Sequence, residues 1–181
     1  MEEKLLDIGA ERAVLAGLLQ YGIDAHVNIS DLLGDESFVN PNNKIIYKCI
    51  EHIISNDQKP DVATLLAAAE QLNFIEQIST KQELSYINSL YEFPVSQDNV
   101  FSFAVQMKKF EFARKIKKLT LKVHKDMDGV DGSESINQII QKLEDPVTDF
   151  LREDDGGENP EKIGEGIEDY VTFLEENKCD I

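Results

Sequence analysis

The side chains most able to do chemistry are few and widely spaced. His26, His52 and His124 are the only histidines, and none has a second His, Cys or carboxylate at a metal-ligand spacing. Cys49 and Cys179 are far apart, as expected for a buried thiol and a tail thiol in a reducing compartment. We therefore expect no metal site, and we expect His52 to be an ordinary helix-surface histidine.

Catalytic motifs are also missing from the sequence. It contains no G-x-S-x-G, H-E-x-x-H or C-x-x-C pattern, and no Gly-Lys pair from which a phosphate-binding loop could be built. The acidic residues Asp126, Asp128 and Asp131 lack the ligand order of a calcium loop. The sequence thus predicts no catalytic, cofactor-binding or metal residue. An all-helical hydrolase with a carboxylate site is the remaining enzyme hypothesis, tested by activity in the pure chain.

Charge and hydropathy limit the classes of partner. The 181 residues carry 18 Lys and Arg against 35 Asp and Glu, a formal net charge of −17. Such a chain is repelled on average by nucleic acid, so any role on DNA is local or indirect. No secretory signal or membrane-length apolar run is visible. We expect a cytoplasmic location.

The segment 1–95 has the pattern of a globular head of short helices. Apolar residues recur at helical spacing from Gly9 to Gln20 and again from Asn40-Pro41 to about Ser55. Asn40 and Asp61 stand where helix N-caps are expected, and a further helix is predicted from Gln82 to Tyr91.

The segment 96–152 predicts a long antiparallel helical hairpin. A helix without Gly or Pro runs from Ser96 to about Met127, and a Gly-containing turn precedes a return helix that Ser133 or Ser135 starts. Pro146 lies inside that return helix and is expected to kink or restart it. The fold class predicted for the whole chain is therefore all-α.

The C-terminal part of the chain changes composition. Residues 153–160 contain no apolar side chain and read as an acidic flexible linker. Residues 161–181 follow as a short amphipathic helix. Its apolar side consists of Ile163, Ile167, Tyr170 and Leu174.

The hairpin carries more apolar surface than its return helix can cover, which favours an interface between copies of the chain. The alternative is that the hairpin folds back on the head and hides this surface. The residues expected at the interface are Phe103, Met107, Phe110, Ile116, Leu119, Ile139 and Leu143.

The first hairpin helix also holds a large share of the basic residues. They are Lys108, Lys109, Arg114, Lys115, Lys117, Lys118, Lys122 and Lys125. They form either a patch for nucleic acid or an acidic partner, or a solvated face balanced by acidic neighbours. No aromatic residues alternate with them as stacking platforms for single strands.

Several stretches, in order and at the right intervals, resemble the N-terminal domain of hexameric replicative helicases of the DnaB type. They are Glu11–Leu19, Phe38–Tyr47, Lys59–Leu65, Tyr86–Leu90, Pro94–Asn99, the pair Phe103-Ala104 and the triplet Arg114-Lys115-Ile116. Departures from the family pattern are Asn43 where a His is common, the missing Gly-Gly turn before Tyr86, and Pro146.

The resemblance implies a helical head and hairpin that assemble as a trimer-of-dimers collar, where primase docks and on which helicase loaders act. It also implies that the amphipathic helix packs on a neighbouring motor domain, with Ile163, Ile167, Tyr170 and Leu174 as docking residues. ATP, Mg²⁺ and 5′–3′ unwinding belong to that motor domain, in a bacterial or phage-infected cell. This chain itself is expected to need no cofactor.

An alternative is a stand-alone regulator that binds a helicase or primase and mimics the collar. The reading frame after Ile181 discriminates the two hypotheses. Codons continuing into a Gly-rich Lys-Thr or Lys-Ser loop favour the helicase, whereas a natural stop favours the regulator.

Overall fold

The computed structural model describes residues 5–154, and every regular element among them is helical. Eight α-helices and one short 3-10 turn follow one another within this described part of the chain. They are α1 (Ile8–Tyr21), α2 (Ile23–Ile29), the 3-10 turn (Asp35–Ser37), α3 (Pro41–Ser55), α4 (Val62–Gln71), α5 (Ile75–Ile78), α6 (Lys81–Tyr91), α7 (Gln97–Asp128) and α8 (Ile136–Asp154). The all-α prediction is confirmed.

Local capping sets the helix starts that the sequence predicts. The Asn40 side chain accepts hydrogen bonds from the backbone N–H groups of Asn42 and Asn43, with Pro41 at the first helical position. Asp61 accepts from the backbone of Thr64, whose hydroxyl accepts in return from the Asp61 N–H, so α4 begins with a reciprocal capping box. Both predicted caps are confirmed.

The chain divides into two compact units, and the division falls within α7, between Lys115 and Ile116. The first unit holds α1 to α6 and the first part of α7, whereas the second unit holds the rest of α7 and α8. The sequence places the boundary near residue 95 instead. The difference arises because the first turns of α7 carry side chains that belong to the core of the first unit.

Helix α1 is the centre of that core. Its residues from Ala13 to Leu19 are all buried, and it packs against α2, α3 and α6. A helix that is buried on all sides is apolar all round, which explains why this stretch contains only Ala, Val, Leu and Gly. Glu11 is the buried charge of the helix, and it has partners described below.

The return helix α8 continues through Pro146 from Ile136 to Asp154. Of the two effects predicted for this proline, the restart is therefore wrong, and the kink stays a prediction. Proline removes one helical hydrogen bond, but the Pro146 ring is buried in the second unit, and packing offsets that loss. The helix also extends two residues into the predicted linker. Within residues 5–154, no helix is both long enough and apolar enough to cross a lipid bilayer.

Candidate interaction surfaces

The connection that leads into α7 is fixed to α1 by hydrogen bonds from two α1 side chains. The Gln20 amide donates to the carbonyls of Leu90, Tyr91 and Phe93, at 3.2, 3.2 and 2.8 Å. The Tyr21 hydroxyl donates to the Val95 carbonyl at 2.8 Å. The connection between α6 and α7 is thereby held along the end of α1.

The first turns of α7 then bury their apolar side chains in the first unit. Val100, Ala104 and Met107 are all buried in its core, at positions four and three residues apart. Val100 lies directly against Gly17, the one position of the buried α1 stretch without a side chain. This face of α7 belongs to the core and is closed to partners.

A buried carboxylate continues the same face. Glu111 is 6% exposed and accepts a hydrogen bond from the Ser37 hydroxyl. Its other oxygen lies 3.0 Å from the Lys115 ammonium and 3.5 Å from that of Lys108. Burial raises the pKa of Glu111, but the Ser37 hydrogen bond and the two lysines outweigh it, so the pKa lies below its usual value. Glu111 is therefore a structural anion.

Arg114 extends this contact one turn further. Its guanidinium donates to the carbonyls of Leu5 and Glu36, each at 2.8 Å, and to that of Ser37 at 3.2 Å. A guanidinium can hold three carbonyls because its donors form a fixed planar fork. Arg114 thus ties α7 to the chain before α1 and to the 3-10 turn.

Glu11 of α1 binds the residues that follow the 3-10 turn. The Glu11 carboxylate accepts from the Val39 N–H at 2.7 Å and from the Asn43 amide at 2.8 Å. The Asn43 oxygen accepts in turn from the Tyr86 hydroxyl at 2.7 Å. Asn43, a departure from the family pattern, therefore joins α1, α3 and α6.

The predicted basic patch is divided by these contacts. Lys108 and Lys115 lie on Glu111, and Arg114 lies on backbone carbonyls, so these three stabilise the first unit. The remaining members are exposed: Lys109, Lys117, Lys118, Lys122 and Lys125. Four of those five lie in the second unit, where they occupy a stretch of nine residues of α7.

The predicted interface residues also fall into different environments. Met107 is only 2% exposed, inside the core of the first unit, so its assignment to an interface is wrong. Phe103 is half-buried and packs against the same core. Phe110, Leu119 and Ile139 are half-buried, while Ile116 and Leu143 are exposed.

The predicted interface lacks five exposed apolar residues of α7 and α8, which are Phe101, Phe112, Leu121, Ile136 and Ile140. On α8, Ile136, Ile140 and Leu143 are 77%, 45% and 48% exposed and follow one another at i, i+4 and i+7. This spacing puts them on one side of the helix. The sequence shows this spacing, but it does not show which apolar residues of α8 are exposed and which are half-buried.

The four predicted linker-docking residues Ile163, Ile167, Tyr170 and Leu174 lie outside the described residues. Among residues 5–154, no group of three or more His, Cys, Asp or Glu side chains could hold a metal ion.

Comparison with known proteins agrees with this architecture. A family model described as the DnaB-like helicase N-terminal domain matches residues 3–109. Among solved structures, the chain is similar to the N-terminal domain of DnaB helicase from Mycobacterium tuberculosis. The TM-score is 0.66 at 18% identity, over 79% of this chain and 96% of that one. No curated protein matches the chain.

Proposed function

Because the chain belongs to the family of DnaB-like helicase N-terminal domains, we propose that it is the assembly and partner-docking part of a replicative DNA helicase. In this proposal copies of the chain associate into a collar, on which a primase and a helicase loader dock. Unwinding by an ATP-dependent ring belongs to a motor domain outside these 181 residues.

The observation that carries the proposal is the apolar stripe of α8, which we define as Ile136, Ile140 and Leu143. Isolated exposed apolar residues are common on protein surfaces, but a row at helical spacing usually marks an interface. Covering each of these side chains is worth roughly 1–2 kcal/mol, since each is only partly exposed. A second copy would supply the same stripe, as a two-fold interface requires.

The test compares two substitutions that place the same charge on an exposed apolar residue. Ile140→Asp changes the α8 stripe, and Val27→Asp changes an exposed residue of α2 in the first unit. Mass would be measured by sedimentation and light scattering over a dilution series, with circular dichroism to confirm folding. We expect wild type and Val27→Asp to associate and Ile140→Asp to remain monomeric.

Two results would contradict this assignment. A wild-type chain that stays monomeric at about 200 μM, a concentration at which even a weak interface forms, would remove the assembly role. If Val27→Asp dissociates the assembly and Ile140→Asp has no effect on it, the interface lies on α2 instead.

A separate test concerns the proposal that this chain binds partners and that a motor domain hydrolyses ATP. We expect the purified chain to hydrolyse no ATP, with or without DNA, and to bind the primase of its own source in a titration calorimeter. Hydrolysis that persists through purification would instead support an enzyme with a carboxylate site. Absence of primase binding to the assembled chain would limit the proposal to self-association.

A further inference from the structure

Arg12 of α1 lies against two aromatic rings. The central carbon of its guanidinium is 5.6 Å from the centre of the Tyr86 ring and 5.3 Å from the centre of the Phe93 ring. Both distances are within the roughly 6 Å over which a cation is attracted to the face of an aromatic ring. The two rings therefore hold the guanidinium in place.

The rings are themselves fixed by the first unit. The Tyr86 hydroxyl donates to the Asn43 side-chain oxygen at 2.7 Å, and the Phe93 carbonyl accepts from the Gln20 amide at 2.8 Å. Both rings pack against the core of the unit. The position of the guanidinium is thus set before any ligand binds, which lowers the entropy cost of binding one.

This guanidinium has donors without an acceptor. The Arg12 Nε is buried and forms no hydrogen bond within residues 5–154. The two Nη groups form none there either, and neither is buried, so both reach solvent. Glu11, the neighbouring residue in the chain, already accepts from the Val39 N–H and the Asn43 amide. Arg114 differs, because its guanidinium donates to three carbonyls.

We propose that Arg12, with Tyr86 and Phe93 beside it, is a receptor for a carboxylate of a partner protein. Two Nη donors side by side match the two oxygens of one carboxylate. A guanidinium is weakly hydrated, and the rings already keep water from part of it, so little solvent has to be displaced. Beside apolar rings a charge-assisted hydrogen bond is also stronger than in open water.

The surrounding charges favour a single carboxylate over a nucleic acid. Burial raises the pKa of the Tyr86 hydroxyl, Arg12 lowers it, and the carboxylates of Glu11 and Glu83 raise it again. These two carboxylates therefore lie near the same ring as Arg12. A nucleic acid would bring several phosphates close to them, and the net charge of −17 repels polyanions at long range. One carboxylate instead adds a single charge, which the guanidinium neutralises.

This inference deepens the proposed function, because it gives the chemistry that would hold a docking partner. It rests on that function only in taking the ligand to be part of a partner protein. Arg12 belongs to the first unit, whereas the apolar stripe of α8 belongs to the second. The receptor and the self-association can therefore be tested separately.

The experiment uses the full chain and follows its arginine Nε–H groups by nuclear magnetic resonance. The sequence has three arginines, and two of them are internal controls: Arg114 is held by backbone carbonyls, and Arg152 is exposed. The probe is propionate, titrated to about 0.5 M in exchange for chloride so that screening stays constant. A second titration uses inorganic phosphate at the same ionic strength.

We expect the Arg12 signal to shift and saturate with propionate, at a dissociation constant at least about tenfold below that of Arg152. The Arg114 signal should stay in place. Phosphate should bind Arg12 less tightly than propionate does.

Two substitutions test the rings. Phe93→Leu removes one ring but keeps an apolar side chain, and it should weaken propionate binding at Arg12 several-fold. The matched control is Phe101→Leu, the same change at an exposed residue of α7 that makes no ring contact with Arg12 within residues 5–154. It should leave propionate binding unchanged. Circular dichroism confirms that both variants fold.

Several outcomes would overturn the receptor. An Arg12 signal that does not saturate, or that shifts no more than that of Arg152, would exclude it. Tighter binding of phosphate than of propionate would assign Arg12 to phosphates, and equal effects of Phe93→Leu and Phe101→Leu would exclude a role for the ring. An Arg12 shift that follows protein concentration without propionate would assign the carboxylate to a second copy of the chain.

These failures are distinguishable from failure of the proposed function. The propionate titration requires neither a partner nor an assembled chain. If Arg12 binds no propionate and Ile140→Asp still dissociates the assembly, the proposed function stands and only the receptor fails. If the wild-type chain stays monomeric and Arg12 still binds propionate, the receptor stands without the assembly.

Discussion

A side chain at Gly17 would collide with Val100: a Cβ built on Gly17 would lie 2.2 Å from Cγ2 of Val100. Helices α1 and α7 can approach this closely only because position 17 has no side chain. The contact joins the most buried helix of the first unit to the helix that continues into the second unit. Several measurable consequences depend on how α7 is held in this way.

The first prediction concerns this helix contact. We expect Gly17→Ala to lower the free energy of unfolding by roughly 1–3 kcal/mol, because the added methyl overpacks the site against a stiff β-branched side chain. This outweighs the gain in helix propensity of about 1 kcal/mol. Urea unfolding measures the change.

A matched control is Gly34→Ala, because a Cβ at Gly34 would meet nothing within 4 Å. Its effect should remain below about 0.5 kcal/mol. Adding Val100→Ala to Gly17→Ala should cost less than the sum of the two single changes. Additive effects would show that the two residues do not clash.

The second prediction concerns the buried carboxylate of Glu11. We expect Glu11→Ala to destabilise the first unit by roughly 2–4 kcal/mol, because the Val39 N–H and the Asn43 amide lose their acceptor. Thermal unfolding gives the change, with the exposed Glu76→Ala as control. Equal effects of both substitutions would contradict a structural role for Glu11.

The third prediction is a pH dependence from Glu111, whose pKa is lowered in the folded chain. A carboxyl with a lowered folded pKa stabilises the fold fully above its unfolded value, near 4.5, and loses that contribution as the pH falls through the folded value. The stability difference between wild type and Glu111→Gln should therefore be large at neutral pH and shrink in acid. Urea titrations at about pH 7 and pH 3 measure it, and a pH-independent difference would exclude the linkage.

The fourth prediction compares Arg114→Lys with Lys109→Arg on the same helix. A lysine ammonium cannot replace the planar fork that reaches three carbonyls, so Arg114→Lys should cost roughly 1–2 kcal/mol. Lys109 is exposed, and its exchange should be neutral within about 0.5 kcal/mol. Chemical denaturation measures the free energy of unfolding of both variants. If Arg114→Lys leaves it unchanged, these hydrogen bonds add nothing to stability.

The fifth prediction separates core residues from interface residues among the side chains that the sequence places at the interface. Met107→Ala should lower the free energy of unfolding by roughly 2–4 kcal/mol, since this side chain is buried. Leu143→Ala should leave unfolding nearly unchanged and raise the dissociation constant of the assembly several-fold. Unfolding curves and sedimentation of both variants provide the comparison. The reverse pattern would return Met107 to the interface.

The sequence alone determined the helical class and most helix bounds, because these depend on local chemistry. Asn40 and Asp61 cap their helices within two or three residues, and apolar spacing along α3 and α7 shows which stretches are helical whatever surrounds them. The family resemblance also rests on local stretches of this kind, and the family match confirms it.

Only the tertiary structure decided which side of α7 is covered. Met107 and the exposed Phe101 are both apolar residues of one helix, and no local rule shows that the first lies in the core and the second is exposed. Glu111 and Arg114 resemble surface charges in the sequence. In the structure the Ser37 hydroxyl binds Glu111 and the Ser37 carbonyl binds Arg114, and Ser37 is more than 70 positions away from both. These contacts make both residues part of the first unit. Burial and pairing depend on residues distant in sequence, and folding alone brings those residues together.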